Sequence, residues 1–211
     1  MFGTELLFTV IAVIFCFLIY FKTKESYELT RHEGINYFRN AFLFLGFSYV
    51  LRFLWGIMMI SRTTFEFIMP REMFAFLFIL PLGYFSTISI FYLIHGSVWK
   101  NSDDKKFLIL SHGIAILLSV ISFITRSPLI LLCLQCALLC IVLLLNFAKP
   151  HKKTKISQIK VLYILIAALW LINLLVIDQM RPLPLEISIL FQITSLAVFA
   201  VIYHKILKWV K

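Results

Sequence analysis

Residues Asn36–Ile60 read NYFRNAFLFLGFSYVLRFLWGIMMI. This predominantly apolar stretch has the length of a membrane-spanning helix, since about 20 residues are needed to cross the hydrocarbon core. It contains one arginine, Arg52, about 12 Å from the Ile60 end at a rise of about 1.5 Å per residue. A charge at such a depth is costly, about 2.5–3.5 kcal/mol on insertion scales. Arg52 is therefore expected to face the interior of a helical bundle or water.

The rest of the chain has the same character. Of its 211 residues, 62% are hydrophobic and only 14% are charged, and the mean hydropathy is +0.97. Soluble domains lie far from these values. The sequence predicts an all-α, polytopic membrane protein, with residues 1–211 forming a single domain of seven transmembrane helices. The predicted helices are Thr4–Phe21, Asn36–Ile60, Glu72–Trp99, Phe107–Thr125, Pro128–Ala148, Gln158–Ile177 and Leu185–Lys205.

The positive charges predict the orientation in the membrane. Fifteen of the 20 lysines and arginines fall on one alternating set of connections, including the polar loop Lys22–Ile35, and only four on the other set. By the positive-inside rule, the N-terminus is expected outside and the C-terminus in the cytoplasm. This distribution explains the net charge of +10 without nucleic acid, so no nucleic-acid partner is expected. We expect a multi-pass protein of the cell membrane, with the lipid bilayer as its first partner.

Three of the predicted helices carry polar residues at similar depth. In helix 2, Tyr49 and Gly56 share a face with Arg52, and helices 6 and 7 carry amide and hydroxyl side chains in their outer halves. If these three helices face one another, they enclose a cavity that opens to the outside and suits a small polar or anionic ligand. The predicted lining residues are Tyr49, Arg52, Trp55, Trp170, Asn173, Ser188 and Gln192.

A purely structural role for the same residues is the alternative. Arg52 is then paired with Asp178 or Glu186 at the outer ends of helices 6 and 7. Asn173 and Gln192 then serve as hydrogen-bonding links between helices, which is ordinary in membrane proteins at about 0.6 kcal/mol each.

Two other clusters contain residue types that can form chemical sites. Cys133, Cys136 and Cys140 share a face of helix 5 and form a soft-metal set, but cysteines in such positions are more often packing residues. His95 and His112 lie on either side of a short loop, where they form a potential proton relay, although hydrogen-bonded histidines are commoner. We therefore predict no metal and no cofactor.

The arrangement of seven helices with an outer N-terminus is similar to that of rhodopsins, receptor-type proteins and small carriers. This similarity is one of architecture alone. The lysine of helix 7, Lys205, lies at its cytoplasmic end and not in the middle, where retinal would require it, so no retinal is expected.

No arrangement of residues typical of a hydrolase, protease or phosphotransferase occurs in the sequence, and we predict that the protein is not an enzyme. The prediction is a receptor- or sensor-like integral membrane protein with an outward-facing cavity around Arg52. In this view a cytoplasmic or membrane protein partner receives the signal. The alternatives are a small-solute carrier that uses the same cavity and a non-catalytic accessory subunit of a membrane complex.

Overall fold

The computed structural model describes residues 2–65, 71–98, 104–125, 128–147, 156–176 and 184–210. Within these ranges the protein is all-helical, which confirms the predicted fold class. Six of the helices contain apolar segments long enough to cross a membrane, and the described apolar part of the remaining helix is the shorter segment Val161–Asn173. The helices are α1 (Phe2–Thr30), α2 (Glu33–Phe65), α3 (Arg71–Val98), α4 (Asp104–Thr125), α5 (Pro128–Phe147), α6 (Ile156–Val176) and α7 (Leu185–Val210).

The predicted polar loop Lys22–Ile35 is mostly helical, and this part of the prediction was wrong. Lys22 pairs with Glu25, and Lys24 lies 3.7 Å from Glu28 in a second ion pair. Such pairs, three or four residues apart, stabilise a helix surface. The polar residues from Lys22 onward show where the apolar part of α1 ends, but the helix itself continues to Thr30.

The connection between α1 and α2 is consequently very short. Arg31 has a φ of 52°, and its N–H donates to the Tyr27 carbonyl at 2.7 Å. A left-handed residue at this position ends a helix by satisfying one of its last carbonyl groups. The chain then enters α2 within two residues, so α1 and α2 form a long antiparallel pair.

Six helices form a closed ring in the order α1, α2, α3, α5, α6, α7, in which each packs against the next and α7 packs against α1. The remaining helix, α4, lies outside this ring against α3 and α5. The sequence predicts a tight antiparallel hairpin of α4 and α5, which are joined by only Arg126 and Ser127. In the structure α4 packs more extensively against α3 than against α5. We call the end of the bundle where α1 begins the N-terminal end, and the opposite end the lysine-rich end.

Interhelical hydrogen bonds connect α3 to its neighbours. The Ser89 hydroxyl donates to the Ala41 carbonyl of α2 at 2.6 Å. On α5, the Gln135 amide donates to Ser86 at 2.8 Å and to Thr87 at 3.1 Å. Interhelical bonds of this kind satisfy polar groups that would otherwise be buried in hydrocarbon without a partner. They attach α3 to α2 on one side and to α5 on the other.

A glycine allows α4 and α5 to approach α3 closely. A Cβ atom added at Gly83 would lie 3.2 Å from both the Leu131 side chain of α5 and the Ser119 hydroxyl of α4. A larger residue at this position would require the Leu131 or Ser119 side chain to shift by a few tenths of an ångström. Pro81, where the sequence predicts a kink, lies nearby within the same continuous helix.

Aromatic side chains meet across the interior of the helix ring. Tyr49 of α2 meets Phe199 of α7 with ring centroids 6.0 Å apart, and Phe38 of α2 meets Tyr163 of α6 at 6.3 Å. The backbone neighbours of α2 among the described residues are nevertheless α1 and α3. The prediction that helices 2, 6 and 7 face one another is thus right for their side chains, which meet across the interior, and wrong for direct helix packing.

Candidate ligand-binding site

Arg52 forms an ion pair with Glu5 in the first turn of α1. Its Nε and Nη2 atoms donate to Oε1 of Glu5 at 3.2 and 3.1 Å. The guanidinium is almost buried, with 10% of its side chain exposed, whereas Glu5 retains 38%. The structural alternative pairs Arg52 with Asp178 or Glu186, whereas its partner among the described residues is Glu5. Glu186 is exposed, and Asp178 lies outside the described residues.

Local geometry explains why Glu5 is the partner. The first turn of a helix carries a partial positive charge that favours a carboxylate. Gly56, one turn beyond Arg52, lets α1 approach α2, because a Cβ there would lie 2.7 Å from Leu6. The Phe8 aromatic ring lies 5.8 Å from the Arg52 guanidinium carbon. The pair therefore closes the seam between α1 and α2 at the N-terminal end of the bundle.

A second polar group lies on α6 and α7. Ser188, Gln192 and Ser195 are buried on one face of α7, and Trp170 and Asn173 are buried on α6. At about 1.5 Å per residue, Ser188 and Asn173 lie about 4–5 Å from the facing ends of their helices, and Ser195 lies about 15 Å from the start of α7. The row thus extends from the N-terminal end to a considerable depth.

Two buried oxygen atoms in this row have no hydrogen-bond partner within the described ranges. They are Oδ1 of Asn173 and Oγ of Ser195. The amide nitrogen of Asn173 donates to the Leu169 carbonyl of its own helix at 2.7 Å, and the amide oxygen has no partner among the described residues. A buried polar group without a partner is costly, most of all in a membrane. These atoms are therefore available to water or to a ligand.

The polar row is directed towards the interior of the helix ring. Phe199 follows Ser195 by one helical turn and contacts both Phe15 of α1, at 5.9 Å between ring centroids, and Tyr49 of α2. Residues four apart lie on the same helix face. Ser195 and Gln192 therefore project towards the side of the ring where α1 and α2 carry the Arg52–Glu5 pair.

The seven predicted site residues thus fall into three places. Tyr49 and Arg52 lie on the face of α2 directed at α1, and Tyr49 packs edge-on against Phe8 at 6.0 Å. Trp170, Asn173, Ser188 and Gln192 line α6 and α7 as described above. Trp55 makes an edge-on contact with Phe78 of α3 at 5.8 Å, which places it in the α2–α3 seam.

The two histidines have separate environments. His95 is fully buried and stacks on Phe107, with ring centroids 4.5 Å apart. Nδ1 of His112 is hydrogen-bonded to the Tyr84 hydroxyl at 2.7 Å. A histidine held by an aromatic or hydroxyl partner needs no second histidine. These contacts favour structural roles over the proton relay considered from the sequence.

The cysteine face of α5 is directed away from the bundle core. Cys133 and Cys140 are exposed and Cys136 is half-buried. Gln135, beside them, turns inward to α3 instead. The thiols therefore lie on a surface that meets lipid or another chain, as apolar packing residues do.

Glu5 and Ser195 are the two site residues whose roles the sequence did not reveal. For Glu5, the available signal was its position in the first turn of a helix, at the same end of the bundle as Arg52. Ser195 belongs to the predicted polar stripe of helix 7, but only the structure distinguishes it from a serine that bonds to its own helix.

The long apolar helices and the polar groups buried between them fit one class, that of multi-pass helical membrane proteins. The chain is 30% identical over 212 residues to an uncharacterized protein of Archaeoglobus fulgidus, covering 98% of this chain and 92% of that protein. The chain belongs to the same family as this archaeal protein. No family model matches the sequence, and no solved structure matches it significantly.

Proposed function

We propose that the protein is a receptor- or sensor-like membrane protein that binds a small polar or anionic ligand inside the helix ring at the N-terminal end. One observation carries the proposal: Asn173 and Ser195 each bury an oxygen atom without a partner within the described ranges. A ligand or ordered water that hydrogen-bonds to these atoms removes the cost of burying them. The site consists of Glu5, Tyr49, Arg52, Trp170, Asn173, Ser188, Gln192 and Ser195.

The Arg52–Glu5 pair gives this site a means of responding to a ligand. Arg52 is nearly buried, whereas Glu5 is more than one-third exposed. A ligand carboxylate or phosphate that reaches Arg52 competes with Glu5, because arginine binds such groups with paired hydrogen bonds. Displacement of Glu5 frees the first turn of α1, which packs between α2 and α7. The ligand thereby shifts α1 and α7 against α2, and the shift reaches the lysine-rich end.

We favour binding over transport because aromatic rings occupy the inner half of the ring. Towards the lysine-rich end, Phe38 and Phe42 pack 5.1 Å apart, and the polar side chains buried there, such as His95 and Tyr163, lie against aromatic rings. A carrier needs a path of polar groups on both sides of its site. The side chains in the proposed site form hydrogen bonds and one ion pair. We therefore propose that the protein binds its ligand without changing it chemically.

A second candidate, a non-catalytic accessory subunit, is favoured by one observation. Glu5 already supplies Arg52 with a carboxylate, so the arginine requires no ligand to be neutralised. In this case the interior at the N-terminal end is dry, and the surface that matters is an exposed apolar face that meets another protein. Access of water to the site distinguishes the two candidates.

Cysteine accessibility tests this difference directly. In a variant whose four native cysteines are replaced, Asn173→Cys, Ser188→Cys and Ser195→Cys are introduced one at a time. The purified proteins are treated with a charged, water-soluble methanethiosulfonate. Gln135→Cys is the matched control, because Gln135 is equally buried but hydrogen-bonded to α3. A receptor site predicts faster labelling at the three α6–α7 positions than at position 135.

Equal and slow labelling at all four positions contradicts the receptor proposal and favours the accessory subunit. A thermal-shift comparison with small carboxylates, phosphates and sulfates adds a test of ligand charge. The proposal predicts that a stabilising anion loses its effect in Arg52→Leu. It predicts that the same anion still stabilises a Trp55→Phe variant, because Trp55 lies in the α2–α3 seam.

A further inference from the structure

A groove runs along the outer side of α6 and α7 at the lysine-rich end, away from the proposed ligand site. Its volume is about 480 Å³. Its floor contains Leu162 and Ile206, which are almost fully buried, and its sides contain the exposed Ala200 and Val201. The small Ala200 side chain leaves the depression open. The basic residues His204, Lys205 and Lys208 complete the lining.

The apolar and basic parts of the groove lie at different depths. At about 1.5 Å per residue, Ala200 is about 22 Å from the start of α7, His204 about 28 Å and Lys208 about 34 Å. The hydrocarbon core of a bilayer is about 30 Å thick. If α7 begins near one boundary, the apolar walls lie within the hydrocarbon and the basic side chains lie at the level of the lipid headgroups.

The titratable residues of the described groove lining, His204, Lys205 and Lys208, are all basic. No aspartate or glutamate follows Glu186 in the sequence, and Glu186 is at the opposite end of α7. His204 and Lys208 are exposed and Lys205 is half-buried. Lysines near a membrane surface attract anionic lipid, and basic pockets between transmembrane helices bind its phosphate groups. Basic side chains at the depth of the headgroups and apolar walls within the hydrocarbon together fit a molecule that carries both a phosphate and an apolar chain.

We propose that the α6–α7 groove binds one anionic phospholipid, with its phosphate on Lys205 and Lys208 and an acyl chain along Ala200, Val201 and Leu162. The bound phospholipid thereby anchors the end of α7 in the surrounding lipid leaflet. Because α7 packs against α1, the bound lipid stabilises the helix through which the N-terminal end is coupled to the lysine-rich end.

Native mass spectrometry of the full-length protein tests this proposal. The detergent-purified protein is titrated with phosphatidylglycerol, with phosphatidylcholine, or with inorganic phosphate as competitor. The groove variant is Lys205→Gln with Lys208→Gln. The matched control is Lys105→Gln with Lys106→Gln, which removes two exposed lysines at the same end of the bundle, on the helix outside the ring. The groove variant is expected to bind the first phosphatidylglycerol at least about tenfold more weakly, and the control as tightly as wild type.

A second pair of variants tests the acyl-chain part of the groove without changing charge. Ala200→Trp fills the groove, whereas Ala197→Trp adds the same bulk at another exposed position of α7. We expect Ala200→Trp alone to weaken binding of phosphatidylglycerol. Circular dichroism and gel filtration establish that each variant is folded.

Three results would overturn the proposal. Equal loss in the two lysine variants would show diffuse attraction to surface charge. Displacement of phosphatidylglycerol by inorganic phosphate would show a free-anion site without a lipid chain. Unchanged binding in Ala200→Trp would show that no chain lies in the groove.

Discussion

Buried polar groups have partners on neighbouring helices on one side of the helix ring, whereas on the other side two of them have no partner among the described residues. Around α3, the Gln135 amide and the Ser89 hydroxyl each bond to a neighbouring helix. Between α6 and α7, the Asn173 amide turns back on its own helix and leaves its oxygen unpaired, and the Ser195 hydroxyl has no partner within the described ranges. Both sides are equally buried, so burial does not explain the difference.

This contrast separates two uses of polar residues in a membrane protein. Where each group has a partner on another helix, the residue holds the bundle together. Where the hydrogen-bonding capacity is unused, the residue is a candidate for binding something that the chain does not supply. One further unpaired atom, Nε of Arg39, belongs to a guanidinium that contacts the Tyr20 and Tyr27 aromatic rings and bonds to Asn36. Arg39 therefore has a structural role, because it holds α2 against α1.

The largest effect on the unfolding free energy is expected at the Arg52–Glu5 ion pair. Glu5→Leu leaves the nearly buried Arg52 guanidinium without a carboxylate, and we expect a loss of about 2–4 kcal/mol of unfolding free energy. Arg52→Leu costs less, because Glu5 is 38% exposed and water can solvate it. SDS titration of the protein in mixed micelles measures both. A greater loss in Arg52→Leu than in Glu5→Leu would contradict this description of the pair.

The next effect is expected in the paired region. Gln135→Leu removes two hydrogen bonds to α3, to Ser86 and Thr87, and fills a similar volume. The expected loss is about 1–1.5 kcal/mol, near the upper range for interhelical bonds in membranes. The same SDS titration measures it. A neutral result would show that these bonds contribute little and would weaken the contrast between the two regions.

The matched change in the unpaired region is expected to cost little or no stability. Asn173→Leu removes a buried oxygen that has no partner within the described part of the chain, so stability is expected to stay within about 0.5 kcal/mol of wild type or to rise. The variant is compared with Gln135→Leu in the same detergent. A loss as large as that of Gln135→Leu would mean that Asn173 also acts as an interhelical link.

The smallest effect is expected at two buried serines. Ser195→Ala should change the unfolding free energy by less than about 0.5 kcal/mol, because its hydroxyl makes no bond among the described residues. Ser89→Ala, equally buried, loses its bond to Ala41 and should cost about 0.6 kcal/mol or more. If the two serines rank in the reverse order, the Ser195 hydroxyl has a partner after all.

The sequence was sufficient for the helical fold, because long apolar runs have few alternatives in a membrane protein. It also predicted that Arg52 faces inward. The extension of α1 beyond Lys22 was missed, since a polar segment ends an apolar run without ending the helix. Ion pairs within one helix, such as Lys24–Glu28, were the signal that it continues.

The partner of Arg52 could not be predicted from hydropathy. Glu5, Asp178 and Glu186 all belong to the same predicted end of the bundle, and the choice among them depends on the order of helices around the ring. That order places α1 beside α2, which selects Glu5. The unpaired oxygens of Asn173 and Ser195 depend on side-chain rotamers and likewise have no signature in the sequence.

The most direct test of a ligand site between α6 and α7 is a cryo-electron microscopy map that shows ordered water, examined beside Asn173 Oδ1 and Ser195 Oγ. The receptor proposal predicts density for water or a small polar molecule within hydrogen-bonding distance of both atoms, in a space that reaches towards Arg52 and Glu5. A dry, filled interior in which both atoms bond to protein groups would contradict it, and the accessory-subunit alternative would then be the better account.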